Sequence, residues 1–331
     1  MNSLKNNIIE VSMNLNKILF FVFALTFLSS CFNEKKEKSA SDTISFEEKM
    51  VFTTPLGKEF ALPEPSEKSL KQHKTAEEDY ERNPDDIEKI IWFGRRTAYL
   101  GKYEDAIAIY SEGIKKFPKE ARLYRHRGHR FISLRKFDKA IEDLEKASQL
   151  IQGSKNEIEP DGMPNAMNIP VSTLHGNIWY HLGLVYYLKH DYENAYKAYL
   201  KCRASGKLPD NIVSSTHWLY MIQRRLGNLE LATKMLEPIS SEMDVIENQS
   251  YHELCKLYKE LIPLDSLLQT KKGSPTSDAI LYGLSNWYFY NGEKEKSKEI
   301  LENLVESSAW SSFGYIAAES DLIEYFDRGP N

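Results

Sequence analysis

Cysteine is scarce: 331 residues hold three. That number excludes a disulfide-stapled miniprotein and a four-cysteine zinc site. Surplus positive charge is missing too. Lysine and arginine number 43 against 48 aspartates and glutamates, a formal net charge of −5, whereas a general nucleic-acid binder needs a basic footprint. Proline and glycine are few, at 13 and 16, which fits a helical chain. Signatures of catalysis are absent: there is no Walker loop, no G-x-S-x-G and no glycine-rich dinucleotide turn. His126 and His129 have arginine neighbours that would repel a metal ion, and His252 lacks a second histidine four residues on, where Lys256 stands. The expectation is a non-enzyme with neither cofactor nor metal. What is present is ample apolar material, 41% hydrophobic against 27% charged, enough to bury a sizeable core. The length suits two or three domains, or one repeat array.

The apolar run at residues 18–28 has 11 residues, short of the ~20 needed to span ~30 Å of hydrocarbon. With Lys17 before it and small residues after, it has the layout of a secretory signal. It ends Leu28-Ser29-Ser30-Cys31, which resembles the bacterial lipobox. The resemblance implies a signal peptide over 1–30, lipidation of Cys31 and anchoring in the membrane of the cell envelope. Phe32 stands where inner-membrane lipoproteins often carry Asp, which implies the outer membrane, with its displayed face open. Met13 begins a leader of ordinary length, so Met1 and Met13 both stand as starts. Residues 33–42 are polar and of mixed charge, and 31–66 is expected to be a flexible tether with a short extended piece.

A period of 34 residues governs the rest. Gly94, Gly101, Lys102, Tyr103, Ala106 and Ile107 recur as Gly128, Arg135, Lys136, Phe137, Ala140 and Ile141, and Pro84 precedes Pro118 by the same interval. A third copy reads Trp179-x2-Leu182-Gly183-x2-Tyr186, then Ala195 and Tyr199. These residues resemble the tetratricopeptide repeat (TPR), a helix-turn-helix unit. The resemblance implies an all-α fold, a TPR solenoid wound as a right-handed superhelix over 67–331. Its parts would be a cap helix at 68–82, repeats at 87–120, 121–154, 176–209, 213–246 and 278–311, a degenerate repeat at 247–277, and a C-terminal cap at 312–326. Gly94, Gly128 and Gly183 would let the two helices of a hairpin approach closely, against Ala106, Ala140 and Ala195. Gly101 would end a first helix in the left-handed conformation. Cys202 and Cys255 sit in helical patterns and read as buried thiols.

In such arrays the first helix of each unit lines the concave face. The pattern puts Arg95 and Tyr99 there, then Arg122, Arg125 and His129, then Tyr180 and Tyr187, then Arg224 and Arg225, and last Tyr282 and Tyr290. The set is basic and aromatic in an acidic protein. One reading is a groove for an anionic or extended peptide, since Arg clamps carboxylates and Tyr is a rigid amphipathic platform. The other is that these arginines pair with acids on neighbouring helices. The carboxylate clamp that grips chaperone tails is not reproduced, because Ile91 and Arg95 hold its Lys and Asn places. Strict repetition is broken by 21 extra residues at 155–175, with Pro160, Pro164 and Pro170 and the acids Glu157, Glu159 and Asp161. Three prolines forbid a continuous helix there. The segment reads as a surface loop or as a flap over the groove. Together these point to a membrane-anchored scaffold for a protein or peptide partner, acidic in one reading. The rivals are an outer-membrane assembly lipoprotein, a SusD-like glycan-binding lipoprotein, for which the chain is short, and an enzyme resting only on the insertion and His175.

Overall fold

Helix capping sets the frame. Ser66, Asp86, Glu120, Thr173, Asp191, Ser274 and Ser312 each accept a backbone N–H from the first turn of the helix they precede, offsetting donors a helix start leaves unpaired. The computed structural model describes residues 51–62, 64–270 and 272–326, so the leader, Cys31 and the first part of the tether lie outside the described residues. Thirteen α-helices are seen among the described residues. A lone α1 (Glu67–Arg82) precedes three helical pairs: α2 (Ile87–Tyr99) with α3 (Tyr103–Lys116), α4 (Ala121–Ser133) with α5 (Phe137–Leu150), and α6 (Leu174–Leu188) with α7 (Tyr192–Ala204). A long α8 (Pro209–Arg225) follows with a short α9 (Leu229–Met235). Then come α10 (Gln249–Tyr258), a single 3-10 turn at Leu264–Ser266, α11 (Pro275–Tyr290) with α12 (Lys294–Leu304), and α13 (Phe313–Tyr325). Consecutive helices pack on one another, except that α10 packs on α8 rather than on α9, so the stacking of neighbours that a helical array requires is interrupted there.

The glycines explain the tight pairs. A Cβ at Gly94 would lie 2.4 Å from the Tyr110 ring, at Gly128 2.9 Å from Leu144, and at Gly183 2.7 Å from the Tyr199 ring. Each second helix thus lies against bare backbone, and Ala106, Ala140 and Ala195 are fully buried. The turn after each first helix needs a left-handed residue: Gly101 (φ 81°) supplies it in the first pair, while Arg135 (φ 56°) and His190 (φ 60°) do so without glycine.

Two features depart from a simple open array. The stretch expected to be a tether is, from Val51, a β-hairpin, with β1 (Val51–Thr53) paired antiparallel to β2 (Glu59–Ala61) and Phe52 opposite Phe60. It is docked, not loose: Phe52 stacks on Trp310 at 4.1 Å, and Lys58 ion-pairs with Glu306 and donates to the Val305 carbonyl. Among the described residues the fold is therefore helical with one small sheet. The second departure is α13. Beyond packing on α11 and α12 it reaches back to α6, and its Glu319 and Asp321, each 1% exposed, take Arg135 and Arg225 as partners at 2.7 and 2.6 Å. The final helix thus brings its carboxylates to arginines of much earlier units.

Candidate functional site

Four of the residues expected on the concave face converge. Arg95 and Tyr99 from α2 and Arg125 and His129 from α4 line one cavity of about 200 Å³. The insertion forms its outer wall. Its legs are joined by an isolated bridge between Ile158 and Thr173, and Glu159 N donates to the Ser172 carbonyl at 3.1 Å. Its tip is held from below: Arg95 donates to the Pro160 carbonyl at 2.8 Å and Arg96 to the Gly162 carbonyl at 3.0 Å. The cavity shares Ala98, Tyr99 and Arg130 with a wider cleft of about 810 Å³ lined by α1, the hairpin and Trp310. Lys68, Arg96 and Arg130 line that cleft together with Phe60, Tyr103 and Trp310, and no carboxylate does.

At the deep end lies Glu159, 6% exposed. Its Oε2 is 3.3 Å from Arg125 Nη2 and accepts from Asn177 Nδ2, and its Oε1 is 3.2 Å from His126 Nε2. Arg125 Nη1 lies 2.8 Å from His126 Nδ1; since a guanidinium only donates, Nδ1 accepts and the ring proton sits on Nε2, facing Glu159. Burial pushes His126 down to about 3, with Arg125 adding to the effect, so the ring is neutral. Burial alone would raise the Glu159 carboxyl, but Arg125 and the His126 and Asn177 donors hold it far below the ordinary range. Burial pushes His181 to about 3 and His129 well below its ordinary value. The site therefore presents fixed guanidinium charge beside neutral imidazoles, and the anion in it is the chain's own.

The other expected groove residues are placed differently. Arg122 does not line the cavity and pairs with Glu88 and Glu120. Tyr180 lines a second cavity, of about 600 Å³, on the far side of the insertion's base with Val171, Tyr251 and Phe313; its hydroxyl accepts from Trp218 Nε1 at 3.0 Å and bonds Tyr251 at 3.0 Å. Tyr187, Tyr282 and Arg225 are closed to any partner. The two phenols are buried and bonded to each other at 2.9 Å, and Arg225 is sealed between Asp321 and Asn286, because α13 covers that stretch. Arg224 lies over the Tyr290 ring at 4.2 Å and donates to Asn291, so this pair forms a separate surface feature. Arg122, Arg125 and Arg225 thus pair with acids of the chain itself, as one reading of the arginines expected, while Arg95 is bonded to a main-chain carbonyl. His175 bonds Ser154 at 3.0 Å, a local tie outside the cleft. Lys68, Arg96, Arg130, His126 and Glu159 were not singled out as a site. The signal was an arginine-rich α4 opposite an acidic insertion, a complementarity visible in the sequence but with no pairing assigned. Among the described residues no group of three or more His, Cys, Asp or Glu could hold a metal ion, and no helix is long and apolar enough to cross a membrane.

Residues 176–202, nearly all of the α6–α7 pair, match the family model of the tetratricopeptide repeat. The array carries a TPR unit. The TPR-like order of the other pairs rests on their common spacing and their glycine contacts. No curated protein matches the sequence. Among solved structures the chain is similar to YrrB, described as a TPR protein with an unusual peptide-binding site, at 16% identity and a TM-score of 0.41, over 74% of this chain and 96% of that one. It is also similar to Naa15/Naa10 bound to HypK-THB, at 16% identity and a TM-score of 0.35, over 72% of this chain and 34% of that one.

Proposed function

We propose that the protein is a non-catalytic scaffold that binds an acidic, extended segment of a protein partner along the cleft from Glu159 to Trp310. The observation that carries this reading is the composition of the wider part of the cleft: Lys68, Arg96 and Arg130 beside Tyr99, Tyr103 and Trp310, with no acid there, whereas the deep end holds Glu159 and Asp161, in a chain whose net charge is −5. Guanidinium groups give such a wall directional, charge-assisted bonds to carboxylates, and the aromatic rings give apolar area at little entropic cost. Supporting the placement of the scaffold, Leu28-Ser29-Ser30-Cys31 marks it for lipidation at Cys31 and attachment to the outer membrane of the cell envelope, where acyl chains give stable anchoring.

The test is affinity purification from solubilised membranes, comparing wild type with the double variant Arg95→Glu, Arg130→Glu. The variant is expected to keep its circular dichroism spectrum and lose its partners. A folded variant with the full partner set would remove the cleft as the binding surface. For the anchor, Cys31→Ser is expected to abolish incorporation of a labelled fatty acid; equal labelling of both forms would refute lipidation there.

A further inference from the structure

The insertion occupies the deep end of the cleft in a particular way. Glu159 puts its carboxylate on Arg125, His126 and Asn177, the contacts a bound acidic side chain would make. We infer that Glu159 is an internal stand-in for a partner's side-chain carboxylate, exchanged for it when an acidic peptide enters. This rests on the cleft being the binding surface.

Three observations make the exchange cheap. First, the tip is tied down by polar bonds: Arg95 to the Pro160 carbonyl, Arg96 to the Gly162 carbonyl, and Asn165 to Glu247. Polar bonds traded for equivalent ones contribute little net free energy. Second, the tip buries little apolar surface, with Met163 72% and Met167 60% exposed and Ile169 exposed as well. Lifting it forfeits little hydrophobic stabilisation. Third, two guanidiniums are engaged with neutral main-chain carbonyls, and a carboxylate would give each a stronger, charge-assisted partner. The legs need not move. The Ile158–Thr173 bridge, the Leu174 N–H to Glu157 carbonyl bond and the Asn156 side chain on the Ser205 carbonyl hold them to the array. Gly162 sets the fit of the closed tip: a Cβ there would lie 2.1 Å from the Tyr99 hydroxyl and 2.6 Å from Arg95 Nη2, so only glycine lets the tip seat without displacing them.

The experiment is fluorescence anisotropy on the full chain with a labelled oligo-glutamate peptide amidated at its C-terminus, and oligo-lysine as control. Glu159→Gln removes the competing charge, and Gly162→Val opposes seating of the tip against Tyr99 and Arg95 without changing the charge of any residue. Both are expected to bind oligo-glutamate about tenfold more tightly than wild type, with no change toward oligo-lysine. The double variant Arg95→Glu, Arg130→Glu should lose oligo-glutamate binding. Arginine-dependent binding with neither Glu159→Gln nor Gly162→Val tighter overturns the exchange and leaves the cleft reading intact. Binding indifferent to the arginine reversals overturns both, and so does the absence of binding in wild type and both unseated variants.

Discussion

Arg225 Nη2 sits 2.6 Å from Asp321 Oδ2, and both side chains are almost wholly buried. The pair joins α8 to α13 and is surrounded by polar partners: His190 lies 3.1 Å from Asp321 Oδ1, Tyr282 donates to Oδ2 at 3.0 Å, and Arg225 donates to Asn286 at 2.7 Å. Burial pushes the Asp321 carboxyl up, but Arg225, His190 and Tyr282 outweigh it, so the net direction is down. Burial pushes Arg225 down, but Asp321 outweighs it and the net direction is up.

Removing one partner of such a pair strands the other charge. Asp321→Asn is expected to cost about 3–5 kcal/mol, read as a lower denaturation midpoint in urea. Because the contact is between distant units, hydrogen exchange should quicken in both α8 and α13. A midpoint unchanged from wild type would show that the pair does not hold the final helix.

Acidity should act through the buried histidines. Burial pushes His217 to about 3, as it does His126 and His181. An imidazole that takes a proton at its ordinary value near 6.5 when unfolded, and only near 3 when folded, gives the unfolded state more protons between those values. Stability then rises with pH and is lost as pH falls below about 6.5, by up to about 1.4 kcal/mol per pH unit for each such group. Above 6.5 these groups contribute no slope. His217 stacks on Tyr251 at 4.5 Å, and its Nδ1 is buried without a partner, so His217→Phe keeps the packing and removes one titrating group. Denaturation midpoints from pH 7 to 5 should fall less steeply in the variant; identical slopes would contradict the assignment.

How much of this was legible beforehand follows from range. Gly94, Gly128 and Gly183, with their alanine partners, announce the helical pairs because each contact lies within one hairpin, and hairpin spacing repeats along the chain. The turn positions at Gly101 and Arg135 are visible for the same reason. The burial of Arg225, Tyr187 and Tyr282 was not visible, because it depends on Asp321 arriving from a helix roughly a hundred residues later, and no period encodes that. The hairpin at Val51–Ala61 was hidden likewise: its docking partners Val305, Glu306, Trp310 and Tyr315 lie far along the chain. Arg95, Tyr99, Arg125 and His129 were found at the cleft because they lie on first helices of adjacent units. Glu159 was seen as part of an acidic insertion, but its seat on Arg125 depends on loop conformation.

Overpacking tests the helical pairs. A side chain at Gly183 must displace the Tyr199 ring, which is itself stacked on Trp218 at 5.7 Å and buried. Gly183→Leu is expected to cost ~1–3 kcal/mol. Protection from hydrogen exchange should fall most in α6, α7 and α8, since stability in a repeat array is shared between nearest neighbours. A uniform loss across the chain would argue against that array behaviour.

The hairpin dock can be tested at one ring. Trp310 stacks on Phe52, and its carbonyl accepts from Arg135 Nη2 at 2.7 Å. Trp310→Ala should cost about 3–5 kcal/mol and open the turn at residues 54–58 to limited proteolysis. Cleavage there at the wild-type rate would mean that the hairpin is held by other contacts.

The most direct measurement of the cleft's role is site-specific photo-crosslinking in intact cells, with a photoreactive residue placed at Tyr99 inside the cleft or at Lys115, exposed on α3. The account predicts discrete adducts from position 99, lost when Arg95 and Arg130 are reversed to Glu, and none from position 115. Adducts from position 115 with none from position 99 would contradict it.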